Sequence, residues 1–397
     1  MNRLTLNLKS ISKNSSHHFT VKAVSSLVSM LFVFVLLSSS VASTFNGFSN
    51  FAFGASDVTV GTESALRAAV VGAPASVDVS YVIALDANIY LTGSLVIPAD
   101  KNITLTNADG TVCQLIALNN VDTIVVNGAL TLDGIVVTHN TGVAGRGVTV
   151  SSNGKLVMAS GKISDNTISG WGGGVLVSSG GSFVMYNGVI ANNTASWGGG
   201  VDNSGSFVMY NGVIANNTSD GRGGGVDSFG SFTMHDGIIA NNTAGTGGGV
   251  EIVWSGGFSL RDGIIANNTA DAGGGVYNLG GFFTMSGGEI SNNTAQDGGG
   301  VYTQGTFTMS GGVISGNDAT SGGGVFVSSG SFSMSGDAIV ANNTGYGVCL
   351  DSVGSFVMSG GIIANNTGGG VFMFSQSSFE LSDGAISGNT ALYPGFP

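Results

Sequence analysis

The chain predicts an all-β parallel solenoid with three short strands per coil, and three observations carry that reading. Phenylalanine returns at Phe183, Phe207, Phe232, Phe258, Phe283, Phe307, Phe332, Phe356 and Phe379, in steps of 23–26 residues. Most of these Phe open the same phrase: Phe-x-Met, a Gly-containing turn, an Ile, then Asn-Asn-Thr. Each phrase ends on Gly-Gly-Gly-Val or a close variant. Self-similarity at a fixed period of this length marks one supersecondary unit stacked on copies of itself.

Within a unit, Phe183 and Met185 alternate with Val184, the period of two that turns one pair inward and one residue outward on a strand. Asn187-Gly188, Asn211-Gly212, Asp236-Gly237 and Asp262-Gly263 then supply the backbone freedom of a sharp corner. A second short strand carries Ile190, Ile214, Ile239, Ile265, Ile290, Ile314, Ile363 and Ile386, and an asparagine follows each Ile by three residues. These are Asn193, Asn217, Asn242, Asn268, Asn293, Asn317, Asn366 and Asn389; Val340 and Asn343 fit the same slots after a one-residue insertion. A third strand opens at Val201, Val226, Val250, Val276, Val301, Val325 and Val371.

One such coil leaves bare edges above and below, so it must pair with its neighbours in parallel and in register. Stacking then places Phe on Phe, Met on Met, Ile on Ile and Val on Val. Eight of the 11 Met residues fall in the pattern, beginning at Met158, which assigns them to the core rather than to metal or redox chemistry. The recurring Asn is expected to form a column of its own, because an amide can donate to one copy and accept from another.

In weakened form the pattern extends back through Leu156, Met158, Ile163, Asn166 and Val175, and before them Leu130, Leu132, Val137, Asn140 and Val148. That makes about eleven regular coils over residues 126–397, a rod of about 50 Å at the usual strand spacing. Upstream, residues 44–125 read as an N-terminal cap with irregular first coils, in which 64–71 is a brief helix and 81–105 holds less regular strands. A helix ahead of the first coil would cover an otherwise open sheet end.

At the phrase Ile290-Ser291-Asn292-Asn293-Thr294-Ala295, followed by Gly298-Gly299-Gly300-Val301, the chain resembles right-handed parallel β-helix repeat proteins. The likeness is to the adhesin-like and polymorphic-outer-membrane-protein-like kind, within the pectate-lyase-like fold superfamily, and it covers residues 57–397. The resemblance implies a right-handed coil and a helix-plus-strand cap. It says little about ligand, since pectate lyases, polysaccharide hydrolases, tailspikes and adhesins share the architecture.

Composition points outside the cell. Residues 1–43 contain Arg3, Lys9, Lys13 and Lys22 and no acid, then an apolar run at 27–37 and a small-residue site at Ser40-Val41-Ala42. This is the pattern of a cleaved signal peptide, and the run falls short of the roughly 20 residues a membrane span needs. Of the 11 basic residues four lie in this leader, so seven face 23 acidic ones in the remainder, a net charge of −16. An acidic rod of this kind disfavours nucleic acid and anionic membrane. Cys113 and Cys349 lie about nine coils apart and cannot pair; Cys349 sits at a position that alternation turns outward.

Asn-x-Thr sequons recur at Asn192, Asn216, Asn241, Asn267, Asn292, Asn342 and Asn365, with a further one at Asn102. Sharing one slot, they would run as a row down one edge, as a glycan coat or merely as polar corner chemistry; the repeat multiplies any motif it contains.

Positions free to vary hold the candidate site. Directly after the core Val come Leu176, Asp202, Asp227, Glu251, Tyr277, Tyr302, Phe326, Cys349 and Phe372 in successive coils. Three carboxylates about 5 Å apart would repel unless screened, protonated or bridged by calcium. Trp171, Trp197 and Arg222 form a second column before the Gly run. With Trp171, Trp197, Tyr277 and Tyr302 stacking on sugar rings and Asp202, Asp227, Glu251 and Arg222 handling charge, a groove acting on an acidic polysaccharide is one expectation. Against catalysis stand the constant coil length and the absence of long loops, which normally build clefts; His235-Asp236 and Arg261-Asp262 occupy turn slots.

The function expected first is therefore a secreted, non-enzymatic, adhesin-like surface protein that presents a repetitive rod to glycans or surface proteins, with no cofactor beyond a possible calcium ion. A polysaccharide lyase or glycoside hydrolase is the second expectation. A filament or coat subunit associating through the C-terminal edge, near Pro394 and Pro397, is the third.

Overall fold

The computed structural model describes residues 56–390 apart from Val77 and Asp109; the leader at 1–43 and the prolines Pro394 and Pro397 lie outside the described residues. Within them every named strand pair is parallel, and the repeat is a β-solenoid. Its strands form one sheet of 25 and one of 12. The larger combines the Phe-x-Met strands and the Ile strands, and the smaller the strands that open at Val201 and its equivalents.

Register places like on like. Phe183 lies opposite Phe207, Met185 opposite Met209, Ile190 opposite Ile214 and Val201 opposite Val226. The Phe rings from Phe183 to Phe379 stack at centroid distances of 4.5–5.1 Å and are nearly parallel. That separation is the spacing between strands, so the backbone ladder sets the geometry and the rings follow it. The Phe, Met, Ile and Val columns are fully buried through all but the last coil.

The Asn column is a continuous ladder. Asn242 Oδ1 accepts from the backbone N–H and the Nδ2 of Asn217 at 2.9 and 3.0 Å, while Asn242 Nδ2 donates to Ile214 O and to Asn268 Oδ1, both at 3.0 Å. The same pattern runs from Asn166 through Asn193, Asn217, Asn242, Asn268, Asn293, Asn317, Asn343 and Asn366 to Asn389. Every amide atom is used, which is what allows so polar a residue to be buried in each coil. Before Asn166 the sequence assigns the slot to Asn140, but His139 takes it: its Nδ1 lies 2.7 Å from Asn166 Oδ1, and Asn140 is exposed. His139 stands two residues after Val137 rather than three, and the count along the chain hides this shift.

Two further differences from the sequence reading concern coil architecture. Thr194–Trp197 pairs with Thr218–Arg222, and isolated bridges continue this line from Thr167 to Thr344, so a fourth ladder runs beside the three expected. The stack also begins before the eleven marked coils, because Val58–Val60, Tyr81–Leu85 and Asn102–Asn107 already pair in the first-strand column. Helix α1, Glu63–Gly72, begins where Thr62 caps it by accepting from Ala65 N, and it buries Leu66 and Val70 against the start of the core. The opposite end has no such lid among the described residues: Met373, Leu381 and Ile386 of the last coil are exposed. No helix among the described residues is long and apolar enough to cross a membrane.

Truncating one ladder rung should cost more than its volume suggests. In Asn242→Ala the N–H and Nδ2 of Asn217 and the carbonyl of Ile214 lose their partner, so stability should fall by about 3–6 kcal/mol. Asn241→Gly, one residue away at a left-handed corner, should be near neutral. Denaturant midpoints of the two variants check this, and equal losses would contradict the ladder's role.

Candidate functional site

The first glycine of each triplet shapes the site. Gly198, Gly223 and Gly247 have φ near +60°, and a Cβ on them would stand 2.6–2.9 Å from the Cβ of Asp202, Asp227 and Glu251, respectively. The chain thus folds back onto the residue that follows the core Val. Only glycine has both the left-handed freedom and the absent side chain this requires.

The consequence corrects the sequence reading. Asp202, Asp227 and Glu251 point away from the core, as alternation requires, yet all three are buried beneath that turn and the fourth ladder. Arg222 lies on the same ladder, 27% exposed, with Nε 3.6 Å from Asp227 Oδ2 and 4.0 Å from Glu251 Oε1. These distances make ion pairs and not hydrogen bonds. Thr246 Oγ1 donates to Glu251 Oε2 at 2.6 Å, and the Arg222 guanidinium also sits 5.2 Å from the centre of the Phe229 ring. Asp202 Oδ2, both Asp227 carboxylate oxygens, Glu251 Oε1 and Arg222 Nε are buried without a hydrogen-bond partner, and among the described residues no other buried side-chain atom is in that position.

Burial pushes the Asp202 carboxyl up to about 8, with the neighbouring Asp227 charge adding to it, and Arg222 and Arg146 pulling back. Glu251 is likewise pushed up to about 8 by burial, against the Thr246 hydrogen bond. Asp227 rises by burial to about 6, held lower than its neighbours by Arg222. Around neutral pH the cluster is therefore one carboxylate paired with one guanidinium, flanked by two carboxylic acids. A polysaccharide would not reach these oxygens without displacing the covering strand. No group of three or more His, Cys, Asp or Glu side chains among the described residues is arranged to hold a metal ion; in this column the cation among the carboxylates is Arg222.

The aromatic candidates are close to one another but mostly face each other. Trp171 stacks on Trp197 at 5.5 Å, and Tyr277 on Tyr302 at 4.7 Å, with Phe326 following at 5.1 Å. Their ring faces meet within the column and their edges turn outward; Trp171, 50% exposed, is the most open of them. Cys349, which alternation turns outward, is fully buried, and burial pushes its thiol up to about 12; neither Cys349 nor Cys113 is in a disulfide.

The sequons have a complete structural account. Asn192, Asn216, Asn241, Asn267, Asn292, Asn342 and Asn365 all have φ of 55–58°, the left-handed region that Asn tolerates better than other side chains, and Gly316 and Gly388 fill the same slot elsewhere. The next Asn builds the buried ladder, and the Thr after it pairs in the fourth ladder in every such coil up to Thr344. Six of these seven acceptors are exposed and Asn267 is half-buried; Asn102, half-buried at the start of its strand, stands apart from the row. The sequence did not single out Trp254 and Phe282, both widely exposed. Their signal was present: Trp254 interrupts a corner that most coils build from small or polar residues, and Phe282 doubles the core Phe283 where most coils carry Ser or Thr.

Compared with known protein families, curated proteins and solved structures, the chain has no match. The parallel solenoid rests on its own strand pairing, and the adhesin-like or pectate-lyase-like kinship has no match behind it.

The cluster fixes the sign of a pH dependence. Carboxyls with raised values hold protons in the folded state that the unfolded chain has released, so their contribution is fully present below about pH 4 and is lost as pH rises toward 8. Each group contributes about 1.4 kcal/mol per pH unit within that window. Stability should fall by about 8 kcal/mol between pH 5 and pH 8, most of it from Asp202 and Glu251, and the Asp202→Asn, Glu251→Gln double variant should lose less than half as much. Chemical denaturation at the two pH values measures it; an unchanged slope in the double variant would exonerate the cluster.

Intact mass of the protein purified from its native source tests the sequon row. The expected mass is unmodified, and a ladder of glycoforms would reverse that expectation.

Proposed function

We propose that this chain is a secreted, non-enzymatic surface protein, adhesin-like in kind, whose solenoid presents a repetitive outer face to glycans or to surface proteins. One observation carries the reading. On the first strand of each coil, the residue before the core Phe and the residue after it face outward, and from Ser182 and Val184 to Ser355 and Val357 none of the sixteen is charged. They are chiefly Ser, Thr and Val, in a chain whose net charge is −12. Stacking alone does not impose this. The column beside it runs Tyr186, Tyr210, His235, Arg261, and so accepts a charge.

A flat, uncharged face of hydroxyls and methyls repeated at the strand spacing suits an extended or repetitive partner. It has no cleft to enclose a scissile bond. The buried state of Asp202, Asp227 and Glu251 favours this reading over a lyase or hydrolase. The apolar end formed by Val371, Met373, Phe379 and Ile386 favours contact between copies at the rod terminus as a secondary property.

The secreted chain, incubated with acidic and neutral polysaccharides with and without calcium, should be retained on at least one of them or on cell surfaces, and should create no new chain ends. Calcium-dependent cleavage lost in Asp227→Asn would replace this reading with the enzymatic one. Absence of retention on every surface would remove it.

A further inference from the structure

Trp254 stands in the left-handed region at φ +50° and is 65% exposed. Other coils fill this kind of corner slot with Asn153, Gly180 or Gly280, residues at ease there, or with the smaller or unbranched Ser352 and Gln376; Trp254 is the aromatic among them. A bulky side chain in this region is a genuine outlier, and such strain is retained where the surroundings or a function require it. The ring is 65% exposed, and its one aromatic neighbour among the described residues is Phe229, whose ring meets it edge-on at 5.6 Å and 69°. Phe229 is itself held from behind by the Arg222 guanidinium.

The adjoining coil carries a second break in the pattern. Phe282 is 60% exposed in a position that Ser or Thr occupies in most coils, and it lies in register with Gly257. Between the two aromatic residues the surface is bare backbone. A Cβ on Gly281 would stand 2.5 Å from Gly256 O, so the two coils touch and the floor is closed; a Cβ on Gly257 would meet nothing within 4 Å, so the space above the floor is open. The exposed rim carries the Ser255 hydroxyl and the Thr284 hydroxyl, which donates to Ser259 Oγ at 3.0 Å. Residues 228–233, 252–260 and 278–284 contain no charged side chain.

We propose that Trp254 and Phe282, across the glycine floor of Gly256, Gly257, Gly280 and Gly281, form a binding site for an uncharged sugar ring of a neutral glycan. The site deepens the surface reading above and rests on it. Aromatic rings offer a flat apolar surface to the C–H face of a pyranose, and the hydroxyl rim suits the polar edge of the sugar. An anionic sugar is disfavoured, because the floor and rim residues include no basic side chain and Arg222, which lies against Phe229, is already engaged by Asp227 and Glu251. A folded protein partner is disfavoured by size: two rings and four glycines fall well short of the roughly 800 Å² per partner of a standard interface.

The variants that test this restore the repeat and so keep the fold: Trp254→Gly and Phe282→Ser. Titration of the full secreted chain with cellohexaose and mannohexaose, followed by tryptophan fluorescence and calorimetry, should show saturable binding to one of them. Affinity should drop at least tenfold in either variant and stay unchanged in Trp171→Phe; tri-galacturonate should not compete. Wild-type binding that survives both substitutions, or no binding to either neutral hexasaccharide, overturns the site. Polysaccharide retention that persists in both variants would leave the surface reading standing while removing this one, whereas loss of all retention by the wild type removes the surface reading itself.

Discussion

Like side chains lying directly over one another at the strand spacing is the constraint from which the rest of this molecule follows. Apolar side chains accept it readily: Phe on Phe and Ile on Ile bury area without demanding partners. Asparagine accepts it because its amide is donor and acceptor at once, so each copy completes the one before. The buried ladder from Asn166 to Asn389 is accordingly the polar counterpart of the Phe stack, and it converts a residue that is costly to bury into one that specifies register. A slip by one coil would still satisfy it, but a slip by one residue would orphan every amide.

Carboxylates are the side chains for which the same rule fails. Asp202, Asp227 and Glu251 share a column, and stacking there brings like charges to strand spacing beneath a covering turn. The molecule answers in two ways: Arg222 enters from the fourth ladder, and the column changes to Tyr277, Tyr302 and Phe326, whose rings tolerate stacking. The cluster is thus where the repeat is least at ease with itself, with the orphaned buried atoms of the described residues gathered in it. Proton uptake relieves what geometry leaves unpaired, so its chemistry is more that of a titrating support than of an exposed catalytic pair.

The exterior obeys a looser discipline. Corners built from glycine and left-handed asparagine repeat because the backbone requires them, which also explains why glycosylation sequons recur without any need for sugar. Against that background the informative residues are those that depart from the repeat without serving the stack. Trp254 and Phe282 do so on adjoining coils, with Phe229 and Arg222 linking their corner to the buried acids.

Sequence alone determined the columns. Phe183, Met185, Ile190, Asn193 and Val201 recur at spacings that only a parallel, in-register stack can bring together, so the solenoid, its core and its Asn ladder were legible. Tertiary structure alone decided what covers what. Alternation correctly turned Asp202, Asp227, Glu251 and Cys349 away from the core, but the fold-back at the first glycine of each triplet encloses them, and a period of two carries no record of a neighbouring segment crossing above. His139 in place of Asn140 escaped for a related reason: a ladder is completed by whichever polar side chain reaches it, and reach depends on the path of the chain through a corner, which residue spacing does not encode.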